Sequence, residues 1–113
     1  MKKDLLKIIN YYGVRKQLKY FQTEIYELNE AILDYIGFIE YNNVELFKED
    51  KFDLQKYQEM LRKHIEEEIS DVMVMLKQFQ YYYDIDDKEI NGVMKYKINR
   101  QLDRMEDEKI NAI

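Results

Sequence analysis

The feature that most constrains this chain is a three–four spacing of apolar residues, repeated over long stretches that no proline interrupts. Leu18, Phe21, Ile25, Leu28, Ile32 and Tyr35 recur at that spacing, as do Ile65, Ile69, Val72, Leu76 and Phe79. Ile90, Met94, Ile98, Leu102 and Met105 form a third set. Residues three and four apart share one face of an α-helix, so each set predicts a helix with one apolar stripe. Proline would remove a backbone donor and break such a helix. The 113 residues contain none, and only three glycines, Gly13, Gly37 and Gly92. Little turn chemistry is left for hairpins. The expected fold is all-α, a helical bundle of three main helices plus one or two short ones, in a single domain over residues 1–113.

The order of elements follows from the same pattern. Residues from about 3 to 12 form a short amphipathic lead-in with Leu5, Leu6, Ile8 and Ile9, and Gly13 marks a break. The first long helix is expected from 14 to 37, with Gly37 as its stop. Residues 38 to 53 read as a connector holding one short helix, and Asp53 as the cap of the next element. The second long helix is expected from 54 to 82. Asp84–Ile85–Asp86–Asp87 is the next connector, with Asp86 or Asp87 as N-cap of a last helix from 87 to 108.

Composition narrows the function classes. The formal charge is −5, which argues against a nucleic-acid duplex as partner, since phosphate backbones favour a basic face. Nucleotides remain open, because a metal ion can supply local positive charge. Without cysteine there are no disulfides, zinc–thiolate sites or thiol nucleophiles. The start, MKKDLLKIIN, lacks the long apolar core and cleavage site of a signal peptide. No stretch approaches a membrane span, so the expected location is cytoplasmic. Eleven tyrosines make up much of the apolar content. Part of that surface is expected to be covered by another subunit, in a homodimer or homotetramer.

Two acidic doublets stand beside the first two stripes: Glu24/Glu27 and Glu68/Asp71. In a chain that is 36% charged, the spacing alone is common. Glu27/Glu30, Asp50/Asp53, Asp84/Asp87 and Asp103/Glu106 share it, and the plain alternative for each is a solvated helix edge. Position distinguishes the first two. Glu68 and Asp71 fall roughly 60° and 120° to one side of their stripe, and Glu24 and Glu27 roughly 80° and 140° to the same side of theirs. Two helices packed along these stripes therefore bring the carboxylates together. Partly buried carboxylates repel one another, and a hard cation resolves that repulsion. A di-iron bundle needs Glu-x-x-His on two helices. His64 is the only histidine, with Leu61 three residues before it, and it reads as a helix-surface or interface residue. An all-oxygen donor set points to Mg²⁺, with Mn²⁺ the close alternative.

At these residues the sequence resembles the MazG-like, all-α nucleoside triphosphate pyrophosphohydrolases. Their first signature reads roughly Gln-Leu and then Glu-Glu-x-x-Glu-Leu. Here Gln17-Leu18 precedes Thr23-Glu24-Ile25-Tyr26-Glu27-Leu28, with Thr23 in place of the first Glu. The second signature, Glu-Glu-x-x-Asp-Val, stands intact as Glu67-Glu68-Ile69-Ser70-Asp71-Val72. A third, looser one places Lys with Asn or Arg on a later helix, and Lys95-Tyr96-Lys97-Ile98-Asn99-Arg100-Gln101 is similar to it. The likeness spans roughly residues 12 to 104.

The resemblance implies hydrolysis of a nucleoside or deoxynucleoside triphosphate to the monophosphate and pyrophosphate. Glu24, Glu27, Glu68 and Asp71 would hold Mg²⁺ and supply the catalytic carboxylates. Gln17 and the last helix would contribute to substrate binding, through Lys95 and Asn99 on one edge or Lys97 and Arg100 on the other. Tyr11, Tyr12, Tyr20, Phe21 and the run Tyr81–Tyr83 are candidates for stacking on a base. Two other readings stay open. One is a non-enzymatic helical dimerisation or adaptor protein with solubilising acidic edges. The other is a degenerate relative that binds nucleotide without hydrolysing it.

Overall fold

The computed structural model describes residues 1–41 and 51–112. Among them it is all-helical: α1 (Lys2–Tyr12), α2 (Val14–Tyr41), α3 (Lys51–Tyr82) and α4 (Asp87–Asn111). Two expected boundaries move. α2 runs through Gly37 to Tyr41, because Gly37 keeps ordinary helical backbone and only Gly13 among the glycines has positive φ. α3 already includes Lys51, so Asp53 lies within the helix and not at the position before it. The short helix expected in the 38–53 connector falls on residues outside those described.

Gly13 is where the lead-in turns into α2. Its φ of 89° is a conformation that costs an L side chain energy and a glycine little. Its amide donates to the Ile9 carbonyl at 2.8 Å, closing the last turn of α1. The α3–α4 junction is made differently. The Asp84 amide donates to the Tyr81 carbonyl and the Ile85 amide to the Gln80 carbonyl, with Asp84 at φ 56°. That is the paired hydrogen bonding of a Schellman stop, with an aspartate in the left-handed position usually held by glycine. Asp86 then caps α4, accepting from the Glu89 amide at 2.7 Å while Glu89 accepts from the Asp86 amide at 3.2 Å, a full capping box.

α2 and α3 lie antiparallel. Gln17 pairs with Gln78, and Phe21 with Phe79. Toward the other end, Tyr35 pairs with Gln58 and Phe38 with Tyr57. α1 packs mainly on α3 and touches α2, burying Leu5 and Ile9. The seam between α2 and α3 is displaced by about one residue from the expected stripes. Gln17, Phe21, Glu24, Leu28, Ala31 and Tyr35 turn inward on α2, and Leu61, Ile65, Glu68, Val72, Met75 and Phe79 on α3. Leu18, Ile25, Ile32, Ile69 and Leu76 are left exposed. Each apolar stripe is wider than one seam. The small Ala31 and the Gln17–Gln78 amide pair fit the close approach, which favours the rotated packing.

α4 is set apart. It packs along none of the other described helices and buries no residue. Among the described residues only its first turn is held: Asp87 accepts from Lys77 at 2.7 Å, from Gln80 at 2.8 Å and from the Tyr81 hydroxyl at 3.1 Å.

Candidate metal centre

The displaced seam places Glu24 and Glu68 inside the α2–α3 interface instead of beside it. One carboxylate oxygen each from Glu24, Glu68 and Asp71 lies within 4.8 Å of the others. The Glu68 side chain is only 12% exposed. One oxygen of Glu24 and one of Glu68 are buried without a hydrogen-bond partner. A buried acceptor left unpaired carries a desolvation cost of about 1–3 kcal/mol, more when charged. The Glu24 carboxyl is accordingly pushed above the usual carboxylate range, first by burial and then by Glu27, Asp71 and Glu68 nearby.

These groups fit a small divalent cation. Mg²⁺ binds oxygens at about 2.1 Å, so two ligands on opposite sides of one ion stand about 4 Å apart. A group spanning 4.8 Å closes on such an ion with a small side-chain adjustment. The ion would quench the repulsion and satisfy the orphaned oxygens together.

Glu27 is one turn beyond Glu24 and raises its pKa, but it stands outside the three-carboxylate group. Thr23 is exposed, and its hydroxyl donates to the Lys19 carbonyl at 3.5 Å. It contributes nothing to the group, so the departure from the expected signature removes no ligand seen here. Gln17 is buried, and its amide donates to Gln78 at 2.8 Å. It also borders a cavity of about 380 Å³ shared with Tyr12, Lys16, Tyr20 and Met75. Tyr20 lies one helical turn before Glu24, and Met75 one turn after Asp71. None of the three carboxylates lines it, and these two lining residues set it about one helical turn from Glu24 and Asp71.

Other expected residues are placed elsewhere. Phe21 packs edge-on against the Phe79 ring at 5.5 Å within the α2–α3 seam. Tyr81 is bound to Asp87, while Tyr82 and Tyr83 pair with each other. Lys95, Lys97, Asn99 and Arg100 are exposed on α4, and among the described residues no ion pair joins them to a carboxylate. Arg100 lies over its own neighbour Tyr96.

His64 joins the site from outside the expected set. Its Nε2 stands 3.3 Å from Glu68 Oε1, and its side chain is 46% exposed. The signal was present in the i,i+4 spacing to Glu68.

The two helices have matched flanks. Glu27 on α2, with Asp71 and His64 on α3, falls roughly 60–80° to one side of the seam. Ile25 and Ile32, with Ile69 and Leu76, fall roughly 60–80° to the other. For antiparallel neighbours, corresponding flanks lie on the same side of the layer. The α2–α3 pair therefore has one carboxylate face and one apolar face.

Comparison of the chain with protein-family models, with curated proteins and with solved structures finds no match. Among the described residues, no helix is long and apolar enough to cross a membrane.

Proposed function

We propose that the chain is a Mg²⁺-dependent nucleoside triphosphate pyrophosphohydrolase of MazG-like type, acting in the cytoplasm. The observation that carries this reading is the convergence of Glu24, Glu68 and Asp71 across the α2–α3 seam, with orphaned oxygens on two of them. The intact Glu67-Glu68-Ile69-Ser70-Asp71-Val72 signature supports it from the sequence side.

Glu24, Glu68 and Asp71 would hold the ion, with Glu27 in reach by side-chain rotation and Mn²⁺ an acceptable substitute. When bound, the ion supplies charge neutralisation at the phosphate oxygens and an acidified water. A water attacks phosphorus at the α–β anhydride, that bond breaks, and monophosphate and pyrophosphate leave. One carboxylate of the group takes the water's proton. Positioning and charge neutralisation contribute most in such phosphoryl chemistry. The cavity formed by Tyr12, Lys16, Gln17, Tyr20 and Met75 offers ring faces and an amide for the base.

The test is a panel of ribo- and deoxyribonucleoside triphosphates with Mg²⁺, read by pyrophosphate release. Release that persists undiminished in Glu68→Gln or Asp71→Asn would sink the reading. Nucleotide-dependent thermal stabilisation without turnover would instead indicate a binding-only relative. No response to metal or nucleotide would favour an adaptor, the reading to which the uncovered α4 lends support.

A further inference from the structure

Charge is unevenly placed along this chain. Of its 18 basic and 23 acidic residues, α1 and the first turns of α2 hold Lys2, Lys3, Lys7, Arg15, Lys16 and Lys19 against the single acid Asp4. The net negative charge therefore belongs to the rest of the molecule. All of these bases are exposed, and among the described residues none of them is in an ion pair. A basic patch concentrated on an otherwise acidic chain attracts a polyanion locally.

Tyrosines stand among these bases. Tyr11, Tyr12 and Tyr20 are 81%, 48% and 58% exposed. The Tyr11 and Tyr12 rings meet edge to face at 4.9 Å, and the Lys16 ammonium lies 5.1 Å from the centre of the Tyr12 ring. Tyr12 is the wall shared by two hollows. The inner one is the cavity of about 380 Å³ described above, with Lys16 and Tyr20. The outer one, of about 210 Å³, is lined by Lys7, Ile8, Tyr11 and Tyr12. Each hollow pairs tyrosine rings with one lysine. Lys3, one turn before Lys7 on α1, continues the basic edge outward. Glu24 and Asp71 lie beyond the inner hollow, so the basic track leads away from the carboxylates.

We infer that the α1–α2 corner is a binding surface for single-stranded nucleic acid. Successive bases stack on Tyr12 and Tyr11, and the backbone phosphates meet Lys16, Lys7 and Lys3. A positively charged track interleaved with aromatic rings is the general device for holding a single strand without reading its sequence. A duplex keeps its bases stacked on one another and offers none to a ring. A lipid surface is met by the apolar face of an amphipathic helix, and in α1 that face, Leu5 and Ile9, is already buried. The inner hollow is also the one proposed for the base of a nucleoside triphosphate. The outer hollow is used by the strand alone, and the inference does not depend on the hydrolase reading.

The test is fluorescence anisotropy of a labelled single-stranded oligonucleotide of about ten nucleotides, titrated with the full chain at several salt concentrations. Saturable binding that weakens with salt is expected, with a duplex of the same sequence bound at least about tenfold more weakly. Tyr11→Ala is expected to weaken strand binding by about tenfold, and Tyr11→Phe, which keeps the ring, to restore it. Lys7→Glu is expected to lower the salt slope by about 1. Both positions are exposed, so the unfolding midpoint should stay in place and a fall in binding is not a loss of fold. Absence of strand binding would overturn the inference. So would equal affinity for the duplex, an unchanged affinity in Tyr11→Ala, or uptake by phosphatidylglycerol vesicles in place of the oligonucleotide. Pyrophosphate release plays no part in these readouts, so the hydrolase reading and this surface stand or fall separately.

Discussion

α3 and α4 are neighbours in sequence, both long, both striped with apolar residues three and four apart, and they end in opposite situations. α3 is covered by α1 on one side and α2 on another, and it buries Leu61, Met75 and Gln78. α4 follows after a single turn and buries nothing. Apolar periodicity therefore specifies a helix and a face to be covered, but not what covers it. For α3 the cover is in the same chain. For α4 no cover lies among the described helices.

This contrast can be broken most forcefully at α1. Ile9 is fully buried beneath α3, and Ile9→Ala is expected to cost about 2–5 kcal/mol of stability, read by urea unfolding. Ile98→Ala on α4 is the matched control. Its side chain is half exposed, and the substitution is expected to leave the unfolding transition within about 0.5 kcal/mol of the unmodified protein. Equal effects at both positions would erase the distinction. Next in size is the amide pair within the seam. Gln17→Leu strands a buried Gln78 and is expected to cost about 1–3 kcal/mol, while Gln17→Leu with Gln78→Leu recovers most of it. A double-mutant cycle in thermal unfolding decides this. Smaller still is the cap of α4. Asp86→Ala is expected to cost about 1 kcal/mol of local helix stability, seen as faster amide exchange in the first turn of α4 with that of α3 unchanged.

The smallest effect concerns pH. Glu24 has a folded-state pKa raised above its ordinary value of 4.5, so the folded chain holds its proton longer than the unfolded one. Metal-free protein is therefore expected to lose stability as pH rises from about that value through the raised one, and to show no contribution from this group below it. Glu24→Gln should flatten that slope, and millimolar Mg²⁺ should reverse its sign. A melting temperature that rises over this window without metal would contradict the placement of Glu24.

Much of the architecture was legible in the residues. The absence of proline and the stripes on α2, α3 and α4 define three long helices, Gly13 marks the first break, and Asp86 marks the last cap. Gly37 misled as a stop because a glycine inside a long helix costs only about 1 kcal/mol, and packing on both sides of it decides. The seam was misplaced by one residue because Leu18, Ile25 and Ile32 form as good a stripe as the one actually buried. Only the partner surface, including Ala31, chooses between them. The convergence of Glu24, Glu68 and Asp71 was readable from the shared edge of the two doublets. His64 lies on the helix surface as expected, and its approach to Glu68 follows from their i,i+4 spacing. That α4 would pack along none of the other described helices was not readable, since its stripe is as regular as those on α2 and α3.

The most direct test of the carboxylate centre is a Mn²⁺ titration followed by electron paramagnetic resonance, without nucleotide, on the unmodified protein and on Glu68→Gln. We expect bound Mn²⁺ to saturate at a defined site in the unmodified protein, and Glu68→Gln to weaken it by about 100-fold, or about 2.7 kcal/mol. Equal Mn²⁺ binding by the two proteins, or none by either, would contradict a metal centre at the α2–α3 seam.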